Sequence, residues 1–379
     1  MSEHQGFTPP PYPYDRLAPL KAAASAHSGG AVDLSIGTPM DPPPEAVVAA
    51  LAGSGAERGY PPSIGTSALR EAAVRWMRRR LGVDVPVEQV AACVGTKELV
   101  ATTVQWLRLR QPERDTVLFP AVSYPTYAMG ATLAGCRAVP VPVDAVWALA
   151  LDGIDEADAA RALCLWVNVP ANPTGALDDL DAAATWGRAH GVPVFSDECY
   201  AEFTWDGAPR TILSSGDEGV VAVHSLSKRS NAAGLRAGFY AGDAALVHFL
   251  AEVRKHAGFM VPGPVQAAAV AALDDDAHVD VQRERYRRRL SFFRTVLEGE
   301  GAEVDLPAGT FYLWARAPGG DAWGFARHLA ERGGVLVAPG DLYGEAGAGY
   351  VRVAVVCDDE CLALAAQRLG TQKRACLSG

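Results

Sequence analysis

Lys228 stands at the end of the run Ser225-Leu226-Ser227-Lys228, directly after the apolar stretch "GVVAV" of residues 219–223. A lysine beside a buried strand is costly unless it is neutralised or used covalently. Ser225 lies three residues before it and Arg236 eight after it. Other reactive side chains fall at similar places. Asp197 ends the apolar run "VPVFSD", Asn172 follows "LCLWVNVP", and Gly95, Thr96 and Lys97 open a helical pattern. Each sits where a strand-like segment gives way to a loop. In sheets of parallel strands wrapped by helices, ligands collect beyond those carboxyl ends.

A lysine so placed is suited to form an imine with an aldehyde, which turns an awkward charge into chemistry. A pyridoxal 5′-phosphate site asks for an amine, an anion opposite the ring nitrogen, and donors to the ring hydroxyl. It also asks for an aromatic face and a phosphate cup. Lys228 supplies the amine and Asp197 the anion; Asn172 and Tyr200 are the donors, and Tyr124 in "AVSYPTY" is the face. The backbone amides of Gly95, Thr96 and Lys97 can hold phosphate at a helix start. Ser225 and Arg236 complete the cup, the arginine as a two-pronged donor. Singly, these residues have plainer readings: a surface lysine, a helix-capping aspartate, a turn tyrosine. His224, beside the lysine motif, reads as a hydrogen-bonded core histidine.

The elements that position these residues alternate. Strand-like runs at 116–120, 138–143, 163–170, 192–198 and 219–225 are separated by helical ones such as 96–110 and 177–191. Apolar strands alternating with amphipathic helices predict a mainly parallel sheet with helices on both faces. A strand-like run at 31–37 leads through prolines to a helix at 45–53, and 66–82 is helical. From about Leu246 the pattern changes to long helices (246–256, 263–273, 278–300) and then strands at 311–317, 334–340 and 350–356. The expectation is an α/β large domain over 45–250 and a smaller α+β domain from 1–44 and 251–379. Residues 1–17, rich in Pro and Tyr, predict an extended arm.

Taken in order, "LSIGTPMDPPP", "GYPPSIGTSALREA", "GTKE", "SYPTY", "NPTG", "SDECY", "SLSKRSNAAGLRAGF", "PAGTFYLW" and "YVRVA" resemble the fold-type-I, class I/II aminotransferases that use pyridoxal 5′-phosphate. Each motif alone is weak, and their shared order across nearly the whole chain is specific. The resemblance implies a seven-stranded, mainly parallel sheet. It implies Lys228 as the Schiff-base lysine, Asp197 as the ring-nitrogen partner, and Asn172 and Tyr200 as donors to the ring oxygen. It further implies Arg352 as the clamp on the substrate α-carboxylate, with the Gly37 backbone beside it. Tyr60 is similar to a tyrosine that reaches the phosphate of a neighbouring subunit, which implies a homodimer. Where many relatives carry an acidic residue or proline before the stacking tyrosine, this chain reads "FPAVSYP", so Tyr127 competes with Tyr124 for that place. Within the family the chain looks most like succinyldiaminopimelate aminotransferases of actinobacterial type. That implies glutamate as donor and N-succinyl-2-amino-6-oxopimelate as acceptor. Aminotransferases for aspartate, alanine or aromatic amino acids, and a pyridoxal-phosphate lyase, are the alternatives. Arg16 and Lys21 are candidates, from charge and position, for reading the acceptor's far end.

Composition narrows the remaining classes. The chain has 379 residues, a net charge of −10 and no basic stripe interleaved with aromatics, which argues against nucleic acid. The basic run "RERYRRRL" has helical spacing and acidic neighbours, as a solvated helix face would. Seven irregularly spaced cysteines (93, 136, 164, 199, 357, 361 and 376) predict reduced thiols in the cytoplasm, with no metal cluster. No run has the length of a membrane span. A regulatory module is expected to need an added DNA-binding segment, for which the length leaves no room. A nicotinamide enzyme would carry GxGxxG after its first strand, and none is present.

Overall fold

A computed structural model describes residues 6–370. Met1–Gln5 of the arm and Cys376 lie outside the described residues. After a short strand β1 (Val32–Asp33), the chain lays down β2 (Val90–Cys93), β3 (Thr116–Pro120), β4 (Arg137–Val141) and β5 (Ala162–Asn168). It continues with β6 (Val194–Asp197), β7 (Val220–Ser225) and β8 (Gly238–Gly242). Strands β2 to β8 form one seven-stranded sheet in the order β2-β8-β7-β6-β5-β3-β4. All pairings are parallel except those of β8, which runs antiparallel to both β7 and β2. Leu163 to Val167 of β5 are fully buried, as strands covered on both faces must be.

The sequence pattern misses β2 and β8, because both are short and rich in alanine and glycine. Their geometry matters. The parallel strands deliver the residues after their carboxyl ends to one edge of the sheet: Gly95 after β2, Tyr124 after β3, Asn172 after β5, Tyr200 after β6 and Lys228 after β7. The antiparallel β8 delivers the residue before its start to that same edge, which is how Arg236 joins them.

A second sheet has four strands, β9 (Glu303–Val304), β10 (Tyr312–Arg316), β12 (Ala338–Pro339) and β13 (Tyr350–Ala354), in the order β12-β13-β10-β9. Between them β11 (Val335–Leu336) leaves this sheet to pair in parallel with β1. The single strand expected at 334–340 is therefore two, split at Val337, because its halves serve different neighbours. The run at 31–37 is a strand only at its start. Leu34 still bridges the two sheets, its N–H donating to Leu336 and its carbonyl accepting from Ala354. Residues 13–17 of the arm, expected to be extended, coil into a 3-10 turn that leads into the helix Ala18–Ala26.

The segment after Gly37 is tied down by charge. Asp41 accepts two hydrogen bonds from Arg289 of the helix Ala277–Gly299, at 2.6 and 2.9 Å, and one from Gln282 at 2.8 Å. Arg289, 2% exposed, also donates to Asp359 of the last helix at 2.6 Å. Removing one partner of a buried charge leaves the other uncompensated. Asp41→Ala should therefore cost about 3 kcal/mol in denaturant unfolding, the low end for such a loss because Asp359 remains. A cost below about 0.5 kcal/mol would show that the pair behaves like a solvated surface bridge.

Candidate active site

The carboxyl edge of the seven-stranded sheet and the second sheet enclose a cavity of about 410 Å³. Its walls carry four cationic side chains, Lys97, Lys228, Arg236 and Arg352, against one carboxylate, Asp197. The side-chain hydrogen bonds of these cations all end on neutral oxygens: those of Tyr12, Gly37, Ala233, Asn172 and Ser35. In a chain of net charge −10 this is a local excess of positive charge, and it suits a ligand with several anionic groups.

Lys228 is half-buried, and its ammonium donates to the Gly37 carbonyl. Burial pushes its pKa down from 10.5 to about 8; Arg352 and Arg236 push the same way, while Cys199 and Asp197 partly oppose them. Gly37 leaves no room for a side chain, because a Cβ there would lie 1.9 Å from the Tyr312 hydroxyl. Tyr312 in turn shares a 2.8 Å hydrogen bond with Tyr200.

Asp197 ends β6 fully enclosed. Burial raises its pKa, against the pull of Cys199, Tyr127 and the Lys228 charge. The Tyr127 hydroxyl donates to its Oδ2 at 3.0 Å and the Cys199 N–H to its Oδ1 at 3.2 Å. A cationic N–H facing it from the cavity would favour the ionised form. Asn168 donates to the Asp197 carbonyl at 2.7 Å and accepts from the Asn172 N–H at 2.7 Å, which locks β5 to β6 at the site. The Asn172 Oδ1 accepts from Arg352 at 2.8 Å, so the amide N–H group is what Asn172 offers the cavity.

The opposite end of the cavity is an anion corner. Gly95 has a left-handed φ of +74°, and a Cβ on it would sit 2.1 Å from the Arg236 guanidinium. Both facts require glycine. The helix Thr96–Arg110 begins there, its free N–H groups facing the corner. Glu98 braces this loop by accepting from the Val94 N–H at 3.2 Å, and it is gripped by Arg254 at 2.5 and 2.8 Å. Ser225 caps the turn carrying Lys228, its hydroxyl accepting from Ser227 N–H at 3.1 Å. The donor set fits pyridoxal phosphate: an amine, an enclosed carboxylate and a phosphate-sized corner in which a Cβ would collide.

Arg352 of β13 is 2% exposed, packed against the rings of Tyr312 (4.2 Å) and Tyr343 (4.8 Å). It donates to Asn172 and, at 2.6 Å, to the Ser35 carbonyl, which leaves three of its five N–H groups for other acceptors. Its Nε has no partner among the described residues.

Thirteen residues were singled out by sequence for this site. Gly37, Thr96, Lys97, Tyr124, Asn172, Asp197, Tyr200, Ser225, Lys228, Arg236 and Arg352 line the cavity, and Gly95 abuts it beneath Arg236. Tyr60 does not come near; it is 97% exposed. Of the competing tyrosines, Tyr124 is on the wall. Tyr127 lies fully buried behind it, stacked on Trp166 at 5.3 Å with its hydroxyl on Asp197. Arg16 and Lys21 miss the cavity: Arg16 pairs with Asp341 at 2.8 Å and covers Trp323. Tyr12 and Tyr14 of the same arm enter instead. The side chain of Lys97, overlooked in favour of its backbone, lies at the mouth with Nζ 3.2 Å from the Tyr12 hydroxyl. His224 is buried as expected but not hydrogen-bonded; neither ring nitrogen has a partner among the described residues.

Over residues 30–369 the chain matches the family described as aminotransferase class I and II. It is 46% identical to the 4-dedimethylamino-4-oxo-anhydrotetracycline transaminase of Streptomyces rimosus, over 95% of this chain and 99% of that protein. It is 35% identical to the LL-diaminopimelate aminotransferase of Desulforudis audaxviator, over 97% and 96% of the two chains. The solved structure of a "probable N-succinyldiaminopimelate aminotransferase" from Thermus thermophilus superposes with a TM-score of 0.85 at 32% identity, covering 94% of this chain and 99% of that one.

The depressed Lys228 pKa has a directional consequence. Only the neutral amine attacks an aldehyde, and its fraction falls roughly tenfold per unit of pH below the pKa. Capture of pyridoxal 5′-phosphate by the cofactor-free protein, followed by absorbance between pH 6.5 and 10, should rise and level off above about 8. A rate still climbing toward pH 10 would mean that burial does not tune this lysine.

Proposed function

The chain belongs to the class I and II aminotransferases, and on that premise we propose that it transfers an amino group from glutamate to a keto acid with several carboxylates. The proposed acceptor is N-succinyl-2-amino-6-oxopimelate, in the synthesis of diaminopimelate and lysine. The observation that carries this reading is the charge balance of the cavity, four cations around one carboxylate. The likeness to diaminopimelate and N-succinyldiaminopimelate aminotransferases supports it.

Enzymes of this family work with pyridoxal 5′-phosphate, which supplies an aldehyde for the amine and a ring that takes up the electron pair left at the substrate α-carbon. The residues divide the remaining work. Lys228 is the amine that would hold the aldehyde, and as a free amine it would take the substrate α-proton and return it as general base and acid. Asp197, oriented by Tyr127, would keep the ring nitrogen protonated. Asn172 and Tyr200 would donate to the ring oxygen, and Tyr124 would cover the ring face. Gly95, Thr96, Ser225 and Arg236 would hold the phosphate. Arg352 grips the α-carboxylate through two parallel hydrogen bonds, which lysine cannot reproduce. Lys97 meets the distal carboxylate, with Tyr12 holding its ammonium at the mouth.

Two variants separate these roles. Arg352→Lys should lower kcat/KM for alanine, glutamate and the succinylated keto acid alike, by about 30-fold or more, since every substrate has an α-carboxylate. Lys97→Met should spare alanine and lower kcat/KM about three- to fivefold for substrates with a distal carboxylate. Half-reaction kinetics over a panel of keto acids with glutamate as donor reads both. Equal losses for Lys97→Met on alanine and glutamate would remove the distal role. Best turnover on aspartate, aromatic or alanine partners would replace the proposed acceptor, and release of ammonia or pyruvate would indicate a lyase. A polycyclic ketone is the second reading. It rests on the 46% identical Streptomyces transaminase and on the aromatic and apolar mouth formed by Tyr12, Tyr14 and Ile36, and the same panel includes it.

The 97% exposed Tyr60 supports a homodimer in which this tyrosine reaches the phosphate of the partner. Tyr60→Phe should weaken cofactor binding about tenfold or more, the worth of one hydrogen bond to a charged group. A fully active monomer in sedimentation would refute the shared site. A cytoplasmic setting belongs to the same proposal; the described cysteines are all unpaired, as a reducing compartment would keep them.

A further inference from the structure

Behind the cofactor-side wall lies a second, small space. It measures about 10 Å³ and is roofed by Trp76 and Phe239. Cys199 and Ser225 line both this space and the main cavity, so the two are separated by a single layer of side chains. Five ionisable side chains line it, and of these His224 and Glu198 keep polar atoms without a partner among the described residues. His224 is 2% exposed, wedged between the rings of Trp76 (4.9 Å) and Phe239 (5.0 Å). Glu198, also 2% exposed, has its Oε1 occupied by the Ile212 N–H at 2.8 Å. Its Oε2 and both ring nitrogens of His224 make no hydrogen bond among the described residues, and Nε2 lies 3.5 Å from Oε2.

Buried polar atoms without partners are rare, and a polar space of this size is at the lower limit for one water. We propose that His224 and Glu198 hold one water molecule between the ends of β6 and β7 and act as an uncharged clamp. The clamp keeps Cys199 and Ser225, the wall shared with the cofactor pocket, in place. The strands it joins carry Asp197 and Ser225, so it sets the spacing between the proposed ring-nitrogen and phosphate anchors. In this part the inference rests on the site reading above.

The surroundings favour the uncharged form. The charge of the adjacent Asp197 also favours a protonated Glu198, and Glu202, the other carboxylate on the wall, is spoken for on both oxygens, by Arg80 at 2.7 Å and Arg229 at 2.5 Å. Arg229 also reaches Asp276, and Cys199, the remaining titratable group on the wall, is neutral because burial raises its pKa. Burial pushes the His224 pKa down to about 3, against the Glu198 backbone, and that of Glu198 up to about 8, against the Ile212 N–H and the Thr211 and Ser196 hydroxyls, which favours a neutral imidazole and a protonated carboxyl at pH 7. A protonated Glu198 can donate to the water, and the water to the imidazole.

Three measurements test this. Nitrogen NMR of cofactor-free protein should give the neutral-imidazole pattern for His224 at pH 7, and a high-resolution crystal structure should place a water against Nε2 or Nδ1 and Oε2. In cofactor titrations Glu198→Gln, which mimics the protonated acid, should keep the wild-type dissociation constant. Glu198→Leu and His224→Phe should raise it about tenfold, as expected for one lost bridging interaction. An imidazolium pattern at pH 7, a loss in Glu198→Gln equal to that in Glu198→Leu, or wild-type affinity in His224→Phe would each overturn the clamp. If His224→Phe does not fold, the Gln and Leu pair still decides. The NMR and crystallographic arms need no cofactor, so they stand even if Asp197 and Ser225 prove not to be its anchors.

Discussion

Four cations meeting around one carboxylate is the constraint on which the rest of the architecture depends. Such an arrangement is repulsive by itself, and in an enclosed site the repulsion is poorly screened. The fold holds it with neutral acceptors and aromatic faces rather than carboxylates: Arg352 lies between two tyrosine rings and Lys97 against a third. Carboxylates in those places would have satisfied the cations and closed the site to anions. Neutral partners keep the guanidinium and ammonium groups fixed while leaving their charge for a ligand.

That design is possible because the scaffold around it is rigid. The two sheets bring their functional residues from separate parts of the chain, and they are joined through the segment containing Leu34, Ser35 and Gly37. This segment donates and accepts backbone hydrogen bonds with β11 and β13, offers a carbonyl each to Arg352 and Lys228, and is anchored beyond Gly37 by the Asp41–Arg289 pair. Its lack of a side chain at Gly37 lets Tyr312 approach and hold Tyr200. A few ångströms of chain thus fix an amine, a guanidinium and a phenol at once.

Burial then separates the behaviour of chemically similar groups. It lowers the Lys228 pKa toward the neutral range, where the amine can act as a base. It raises the pKa of both Asp197 and Glu198, neighbours in sequence. Asp197 faces the cavity, where a cation can reverse the effect, whereas Glu198 faces the small space it shares with His224, where burial favours the protonated form. Two consecutive carboxyls on one strand end therefore take opposite roles because side chains alternate across a sheet.

Much of this was legible in the chain itself. Lys228, Asp197, Asn172 and Tyr200 were found because each stands at or just past the end of an apolar run, and strand periodicity puts such positions on one edge; Arg236 was found from its spacing after Lys228. The helices at 45–53 and 96–110 were recovered with their bounds, since amphipathic spacing is a local property. Tertiary structure decided what depends on neighbours distant in sequence. It placed β8 antiparallel and brought Arg236 to the corner beside Gly95. It put Tyr124 on the wall and Tyr127 behind it, three residues apart on a turn that local pattern cannot orient. It replaced Arg16 and Lys21 by Tyr12, Tyr14 and the Lys97 side chain. It also left His224 without the hydrogen bonds a core histidine was expected to have. Residue type and spacing determine which groups can do chemistry; the direction each side chain faces is set by packing between segments that the sequence keeps far apart.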